Sequence, residues 1–357
     1  MRITVCIIMK NEEKNIAECQ KCLKKAGFGP GGACGDIVVV DTGSSDGSRE
    51  TAGRYVDRVY EYEWRDDFAA AKNHAVSLSG TDLVWVLDAD EFVEEYDHAA
   101  VTAFFSSHLE AMGRIRRRNL IKADGISGVQ ADLTERIYDR RRYRFVHPIH
   151  EQLLPFSGEA VAAELPVCVR HTGYLLDEEG LKKKAARNIE LLSAQLAGSP
   201  EDPYLYFQMA QSYMLKRDRE AALEWYSKGL GFDVDPELEY VQMMVTGYGD
   251  CLLACGKKED ALGLEGVYGA FEKVPEYVFL MGQIYLANNM LIKAYGEFLK
   301  CLSMKEGRTE GVTSYYAYHN IGLINEMLGE KEAAVSFYEK AGDYPRSKER
   351  LKELRGE

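Results

Sequence analysis

Three polar clusters follow short apolar runs, and each could do chemistry. Asp88-Ala89-Asp90-Glu91 directly follows Leu83 to Leu87. Two hard carboxylates at i and i+2 suit Mg2+ or Mn2+ held together with a diphosphate, because the metal offsets charge building up on a phosphate leaving group. Taken alone, such a D-x-D triplet is equally a solvated loop or a helix N-cap. Asp41-Thr42-Gly43-Ser44-Ser45-Asp46 follows Ile37 to Val40. There Asp41 can accept a hydrogen bond from a base or ribose, and Gly43 to Ser48 turn the chain into a helix whose N-terminus helps hold an anion. Lys10-Asn11-Glu12-Glu13 follows Ile3 to Met9 in the same way.

The elements that must carry these clusters alternate. Ile3 to Met9, Ile37 to Val40, Arg58 to Tyr62 and Leu83 to Leu87 read as strands; Glu12 to Ala26, Ser48 to Tyr55 and Phe68 to Leu78 read as helices. Strands that are apolar throughout, separated by amphipathic helices, predict an α/β fold with a mostly parallel sheet covered on both faces. Ligands of such sheets sit beyond the carboxyl ends of the strands, where all three clusters fall. The string Asp41-Thr42-Gly43-Ser44 also matches the catalytic D-T-G-S of aspartic proteases. Those enzymes need two such carboxylates in an all-β fold, and no second D-T-G or D-S-G is present. Between residues 100 and 175, short strands at Arg136 to Tyr138, Tyr143 to Val146 and Val167 to Arg170 close the first domain. The basic run Arg114 to Arg118 reads as a solvated loop, with a phosphate-bearing acceptor or an anionic membrane face as the other reading.

A helix over Leu181 to Leu196 reaches Gly198-Ser199-Pro200, and the pattern beyond becomes helical pairs. Tyr206, Met209, Ala210 and Tyr213 with Ala222 and Tyr226 make one unit. Val278, Met281, Gly282 and Tyr285 with Ala294 and Phe298 make another, and Tyr318, Ile321 and Gly322 with Ala334 and Tyr338 a third. A weaker copy holds Tyr248, Gly249, Leu252 and Ala261. These resemble tetratricopeptide repeats, in which small residues let paired helices approach; the spacing of the small anchors departs from the usual ~34 residues, so a plain helical bundle is the other reading. The expected domains are 1–176 (α/β), a linker helix at 177–199 and an all-α repeat domain at 200–357. Tyr204, Tyr206, Tyr240 and Tyr277 could line a peptide groove, or be inter-helix core.

Composition removes other classes. At 357 residues with 46% hydrophobic and 28% charged residues, the chain can bury cores and is not disordered. A formal charge of -13 argues against nucleic-acid binding. No apolar stretch approaches the roughly 18–20 residues of a membrane span, and Ile3 to Met9 runs into charge without a cleavage site, so the expected location is the cytoplasm. Scattered cysteines fit that location; Cys19-x-x-Cys22 and Cys251-x3-Cys255 lack a matching second pair for zinc.

The segments Ile7 to Glu13, Val39 to Ser48, Asp67 to Asn73 and Trp85 to Glu91 occur in the order found in family 2 glycosyltransferases of the GT-A fold, which the chain resembles. His147-Pro148-Ile149-His150-Glu151-Gln152, His171-Thr172-Gly173-Tyr174 and the helical repeats are similar to a bacterial subgroup that includes peptide glycosyltransferases modifying bacteriocins. The resemblance implies an inverting hexosyl transfer from a UDP-sugar with Mn2+ or Mg2+ as cofactor. It implies that Asp41 contacts uracil, that Met9, Lys10, Asn11 and Glu13 line the nucleoside pocket, and that Lys72 meets the diphosphate with Asn73 beside it. Lys72 stands where the family commonly has Arg, and so acts as a point charge without a bidentate fork. Asp88 lies at ribose and metal, and Asp90 ligates the metal. Inversion needs a carboxylate to take the acceptor's proton; Glu151 is the first choice and Glu91 the second. His171, or else His150, supplies a third metal ligand.

The repeats would recruit a peptide or protein acceptor or pair two copies as a homodimer. Two other classes remain: a repeat scaffold with an inactive first domain, against which Asp88 and Asp90 argue, and a sugar nucleotidyltransferase, against which the missing Gly-rich, basic N-terminal loop argues.

Overall fold

The structure, a computed structural model, describes residues 1–123, 126–175 and 177–356. The chain divides into two compact units, Met1–Leu176 and Asp177–Glu357. In chain order the first holds β1 (Thr4–Met9), α1 (Ile16–Lys25), β2 (Ile37–Asp41), α2 (Ser48–Ala52), β3 (Val59–Glu61), α3 (Phe68–Ser77), β4 (Leu83–Asp88) and β5 (Glu91–Tyr96). It continues with α4 (His98–Ser107), β6 (Ala111–Ala123), β7 (Ile126–Asp139), β8 (Tyr143–Val146), β9 (Gln152–Pro155) and β10 (Val161–His171).

One sheet of order β3-β2-β1-β4-β7-β6-β10-β5 runs through this unit. Successive side chains of a strand point to opposite faces, and here both faces are buried. Val5, Ile7 and Met9 of β1, Val39 of β2 and Trp85 and Leu87 of β4 enter one core, closed by Ile16, Cys19 and Leu23 of α1 and Val101 and Phe105 of α4. Cys6, Val38, Val40, Val84 and Val86 enter the other, closed by Ala69, Ala75 and Val76 of α3 and by Phe145 and Leu153 of the β8/β9 pair. Full burial of each Val, Leu or Ile contributes roughly 1.5–3 kcal/mol, so the alternation fixes which residues of each strand can reach a helix.

The sheet is mixed. Strands β3, β2, β1 and β4 run parallel, as β10 does to β6, but β4 pairs antiparallel with β7, β7 with β6, and β10 with β5. The basic run lies in the middle of β6, not in a loop, and its charges pair across the strands. Arg117 stands opposite Asp132, and Arg114 stands opposite Glu135, with its Nε 3.2 Å from that carboxylate. Arg118 reaches Glu94 at 2.8 Å. With these partners, neither the solvated-loop nor the phosphate reading holds for Arg114, Arg117 and Arg118.

The second unit is helical: α5 (Glu178–Gly198), α6 (Pro203–Leu215), α7 (Arg219–Gly229), α8 (Glu239–Ala254), α9 (Lys258–Ala261), a 3-10 turn (Leu262–Val267), α10 (Tyr268–Phe271), α11 (Pro275–Ala287), α12 (Leu291–Leu302), α13 (Tyr315–Met327), α14 (Lys331–Lys340) and α15 (Pro345–Arg355). The segment expected as a linker, 177–199, belongs to this unit as α5. Small anchors do what repeat packing requires. A methyl on Gly282 would lie 2.7 Å from Phe298, and one on Gly322 would lie 2.7 Å from Tyr338. The copy before them, with Gly249, has its second helix broken by the 3-10 turn, where Gly263 and Gly266 weaken the helix, and the longer spacings instead fall at the connections 230–238 and 303–314. Tyr277 is fully buried and donates its hydroxyl to the Leu264 carbonyl at 2.5 Å, so it is core and not groove. All eight cysteines are free, and burial pushes the thiols of Cys6, Cys251 and Cys301 up to about 12, which leaves them inert at neutral pH. No described helix is long and apolar enough to cross a membrane.

Candidate active site

Strand order reverses between β1 and β4, and the crevice beyond their carboxyl ends is where an open sheet of this kind binds ligands. The loops after β1 and β2 are sewn together at its edge. Asn11, in the left-handed region at φ +56°, accepts from the Ser45 amide at 2.8 Å, and its own amide donates to Ser44 Oγ at 2.9 Å. The Glu12 amide donates to Ser48 Oγ at 2.7 Å, and the Glu13 carboxylate accepts from the Gly47 amide at 3.3 Å. Asn11 and Glu13 thus position Asp41, whose Oδ1 accepts from the amide (3.1 Å) and hydroxyl (2.6 Å) of Ser44. Met9 corrects the expectation: its side chain is 2% exposed in the core, and only its carbonyl serves the edge, by accepting from Thr42. Lys10 is exposed at the crevice rim.

Beyond β4 a chain of charges crosses the floor. Lys72, from the middle of α3 and 3% exposed at its side chain, reaches Asp88 Oδ1 at 3.1 Å and pairs with Glu151. Arg136 of β7 donates to Asp88 Oδ2 at 2.7 Å and to Glu91 Oε1 at 3.0 Å. Arg117 of β6 lies 3.5 Å from the same Glu91 oxygen and forks onto Asp132 at 3.0 and 2.9 Å. Asn119 donates to Asp132 Oδ2 at 2.9 Å and faces His171 Nδ1 with its Oδ1 at 2.7 Å. His171 Nε2 ends the chain 3.3 Å from Asp90 Oδ2. Burial alone would raise the pKa of Asp88, but the Arg136 guanidinium and then the Lys72 ammonium outweigh it and hold the carboxyl well below its usual range. Arg136 shifts the other way: Asp88 and Glu91 outweigh its burial and keep it charged.

The hydrogen bonds fix the histidine tautomer. Asn119 must turn its NH2 to the Asp132 carboxylate, so its oxygen faces His171 and Nδ1 carries the proton. A neutral His171 then points the Nε2 lone pair at Asp90, two acceptors facing one another, an arrangement that either a proton or a cation must fill. The carboxylates of Asp88, Asp90, Glu91, Asp132 and Glu151 outnumber the cations of Lys72, Arg117 and Arg136 within this chain, so negative charge is in excess. Asp90 and His171 are the side chains here whose types would hold a divalent cation, and Mg2+ in particular takes one or two carboxylates plus substrate phosphates. Among the described residues no group of three His, Cys, Asp or Glu is placed to hold a metal alone, and Asp88 is committed to Lys72 and Arg136. Gly173 leaves room for the pair: a methyl there would lie 2.5 Å from both Asp90 Oδ2 and His171 Nε2.

Two further expectations are corrected. Asn73 uses both ends of its amide on the backbone of Phe145, donating to its carbonyl at 2.8 Å and accepting from its amide at 3.0 Å, so it clamps β8 to α3 and is not available to a nucleotide. With the Phe68 amide donating to the Pro148 carbonyl at 2.8 Å, that clamp brings the segment bearing Glu151 against the helix bearing Lys72. Glu91 has no face open to an acceptor. It is fully buried, takes the Asp88 amide at 3.0 Å, and is held between Arg136 and Arg117. Of the two candidate bases, only Glu151, 16% exposed, keeps part of its carboxylate open. Arg117, Asn119, Asp132 and Arg136 were not anticipated. Ile115, Arg117 and Asn119 alternate along β6, and with Ile115 fully buried the period of two was the signal that the latter two point inward.

Residues 4–152 match the glycosyl transferase family 2 model, and residues 203–233 and 315–342 match a tetratricopeptide repeat. The first unit is thus a family 2 glycosyltransferase domain and the second a repeat region, as the sequence pattern led us to expect. A TPR repeat-containing protein of Synechococcus elongatus is 28% identical over 240 residues, 64% of this chain and 56% of that one. The SPbeta prophage-derived glycosyltransferase SunS of Bacillus subtilis is 26% identical over 230 residues, 61% of this chain and 51% of that one. The chain spans about half the length of these curated relatives. Among solved structures, residues 1–349 of S. aureus TarS align with a TM-score of 0.36 at 14% identity, over 70% of this chain and 81% of that one.

Proposed function

We propose that the chain transfers a sugar, with inversion, from a nucleotide-diphosphate sugar, a UDP-sugar in our reading, to an acceptor that the repeat unit helps to bind, a peptide or protein. The observation that carries the reading is the meeting of Asp88, Lys72 and Glu151 at the carboxyl end of β4, in a domain of this family. Asp41 would accept from the base through the oxygen that Ser44 leaves, Lys72 would swing onto the diphosphate, and Asp88 would then hold the ribose. Asp90 and His171 would hold Mn2+ or Mg2+, which when bound neutralises charge on the departing diphosphate. The acceptor hydroxyl or thiol attacks the anomeric carbon from the face opposite the diphosphate. Its proton goes to Glu151, the bond from the anomeric carbon to the diphosphate oxygen breaks, and the nucleoside diphosphate leaves with the electron pair.

Thermal stabilisation by UDP-, GDP- and TDP-sugars, each with and without Mn2+, tests this without a known acceptor, because a ligand of the folded state raises Tm by mass action. A metal-dependent shift with one UDP-sugar is expected; folded protein that responds to none of them refutes the reading. Asp90→Ala is expected to abolish the Mn2+ dependence of UDP binding, and an unchanged Mn2+ titration would remove Asp90 from the metal. Gly173→Ala is expected to raise the Mn2+ concentration for half-maximal stabilisation about tenfold, since its methyl must push Asp90 and His171 apart. The same titration curve for both proteins would show that the pair is not the metal site.

A further inference from the structure

Trp64 is half-buried just past β3 and is held by groups that do not belong to any core. Its indole Nε1 donates to Asp66 Oδ1 at 2.8 Å, from a residue in the left-handed region at φ +54°. Its ring meets Phe68 edge-to-face at 4.7 Å, and the Lys10 ammonium lies over the ring, 5.9 Å from its centroid. The strand register says where this contact lies. Met9 and Glu61 both stand level with Asp41, on the two strands that flank β2, and the Tyr62 amide donates to the Asp41 carbonyl at 2.9 Å. Lys10 and Trp64 therefore leave their strands on either side of Asp41 and meet beyond the end of β2, at the mouth where its carboxylate lies.

We propose that Trp64 is the stacking wall of the base subsite, taking a planar base with an imide N–H at its edge, as uracil and thymine have. The inference rests on the donor reading above and adds the residue that would hold the face of the base, while Asp41 reads its edge. Asp41 offers an acceptor to a ring edge and Trp64 a fixed π-face, and a ligand that satisfies both is a flat heterocycle with a donor on its rim. A lysine ammonium over a half-buried indole at a rim is a weak contact, strong enough to orient the ring in the free protein and readily exchanged for a stacked base. Fixing the ring beforehand through Asp66 and Phe68 lowers the ordering cost on binding.

Titration of the full chain with UDP, and separately with inorganic pyrophosphate, both with Mn2+, tests this in wild type, Trp64→Phe and Trp64→Leu. UDP is expected to quench the tryptophan fluorescence of wild type. Trp64→Phe keeps UDP affinity within about threefold and loses the quench, whereas Trp64→Leu loses about tenfold in UDP affinity and none for pyrophosphate. Wild-type UDP affinity in Trp64→Leu, equal losses for UDP and pyrophosphate, or a quench that persists in Trp64→Phe would each overturn the assignment. Wild-type protein that binds no nucleoside diphosphate would instead overturn the donor reading itself.

Discussion

Replacing Lys72 with Met is expected to cost about 3 kcal/mol of stability at neutral pH, read from the urea midpoint, and to abolish donor binding. The side chain keeps its length but loses the charge that Asp88 and Glu151 share, and removing one partner of a buried pair costs about 3–5 kcal/mol because the other is left uncompensated. The lower end applies here, since Asp88 keeps Arg136 and its side chain is 29% exposed. The pH dependence has a definite sign. Asp88's folded pKa lies below its unfolded value near 3.8, so its ion pairs stabilise the fold fully above the unfolded pKa and are lost as pH falls through the folded one. The gap between wild type and Lys72→Met is therefore widest near neutrality and closes in strong acid. A gap that is constant with pH would mean that Lys72 contributes packing, including its contact with the Phe145 ring at 5.4 Å, and not charge. Lys72→Arg, which retains the cation, is expected to lose less than half as much.

The placement of the candidate site's residues was legible in the sequence wherever position on an element fixes where a side chain lies. Asp41 and Asp88 end apolar strands, and any parallel sheet presents such residues to its ligand crevice. Lys72 sits among Ala69, Ala71 and Ala75 on a helix with few other polar groups, and its burial follows from its neighbours. Asn73, one residue on, looked equally suited to a ligand, because a helical amide does not announce whether it will bond a nucleotide or a backbone; the β8 strand that claims it lies more than seventy residues away in the chain. The long strands β6 and β7 were the largest omission. Of their inward charges, Arg117 read as solvated and Arg136 only as the start of a short strand, because in one sequence a charge has no visible partner. Only the register, with Asp132 opposite Arg117, turns that run into a strand. The repeat anchors were legible for the opposite reason. Gly282 and Gly322 are each required by a large ring within the same local helical pair, so sequence distance is short and the signal survives.

Glu151→Gln is expected to leave UDP binding within about threefold of wild type and to reduce transfer about 10²–10⁴-fold, the usual worth of a positioned general base. The competing account is that Glu151 serves only to hold Lys72. The two differ in which kinetic constant moves. If Glu151 takes the acceptor's proton, the loss lies in the chemical step, so kcat falls, donor KM stays, and a single-turnover experiment with saturating donor shows the full deficit. If it only holds Lys72, the amide keeps a hydrogen-bond acceptor in the same place but drops the charge. Lys72 then leans further onto Asp88 at 3.1 Å, the diphosphate must compete harder for it, and the loss appears in donor KM with kcat largely kept. Glu91 cannot substitute in either case, since Arg136 and Arg117 hold it fully buried on the far side of Asp88. A loss confined to KM would therefore take the base away from both carboxylates first considered and require one from the acceptor's side.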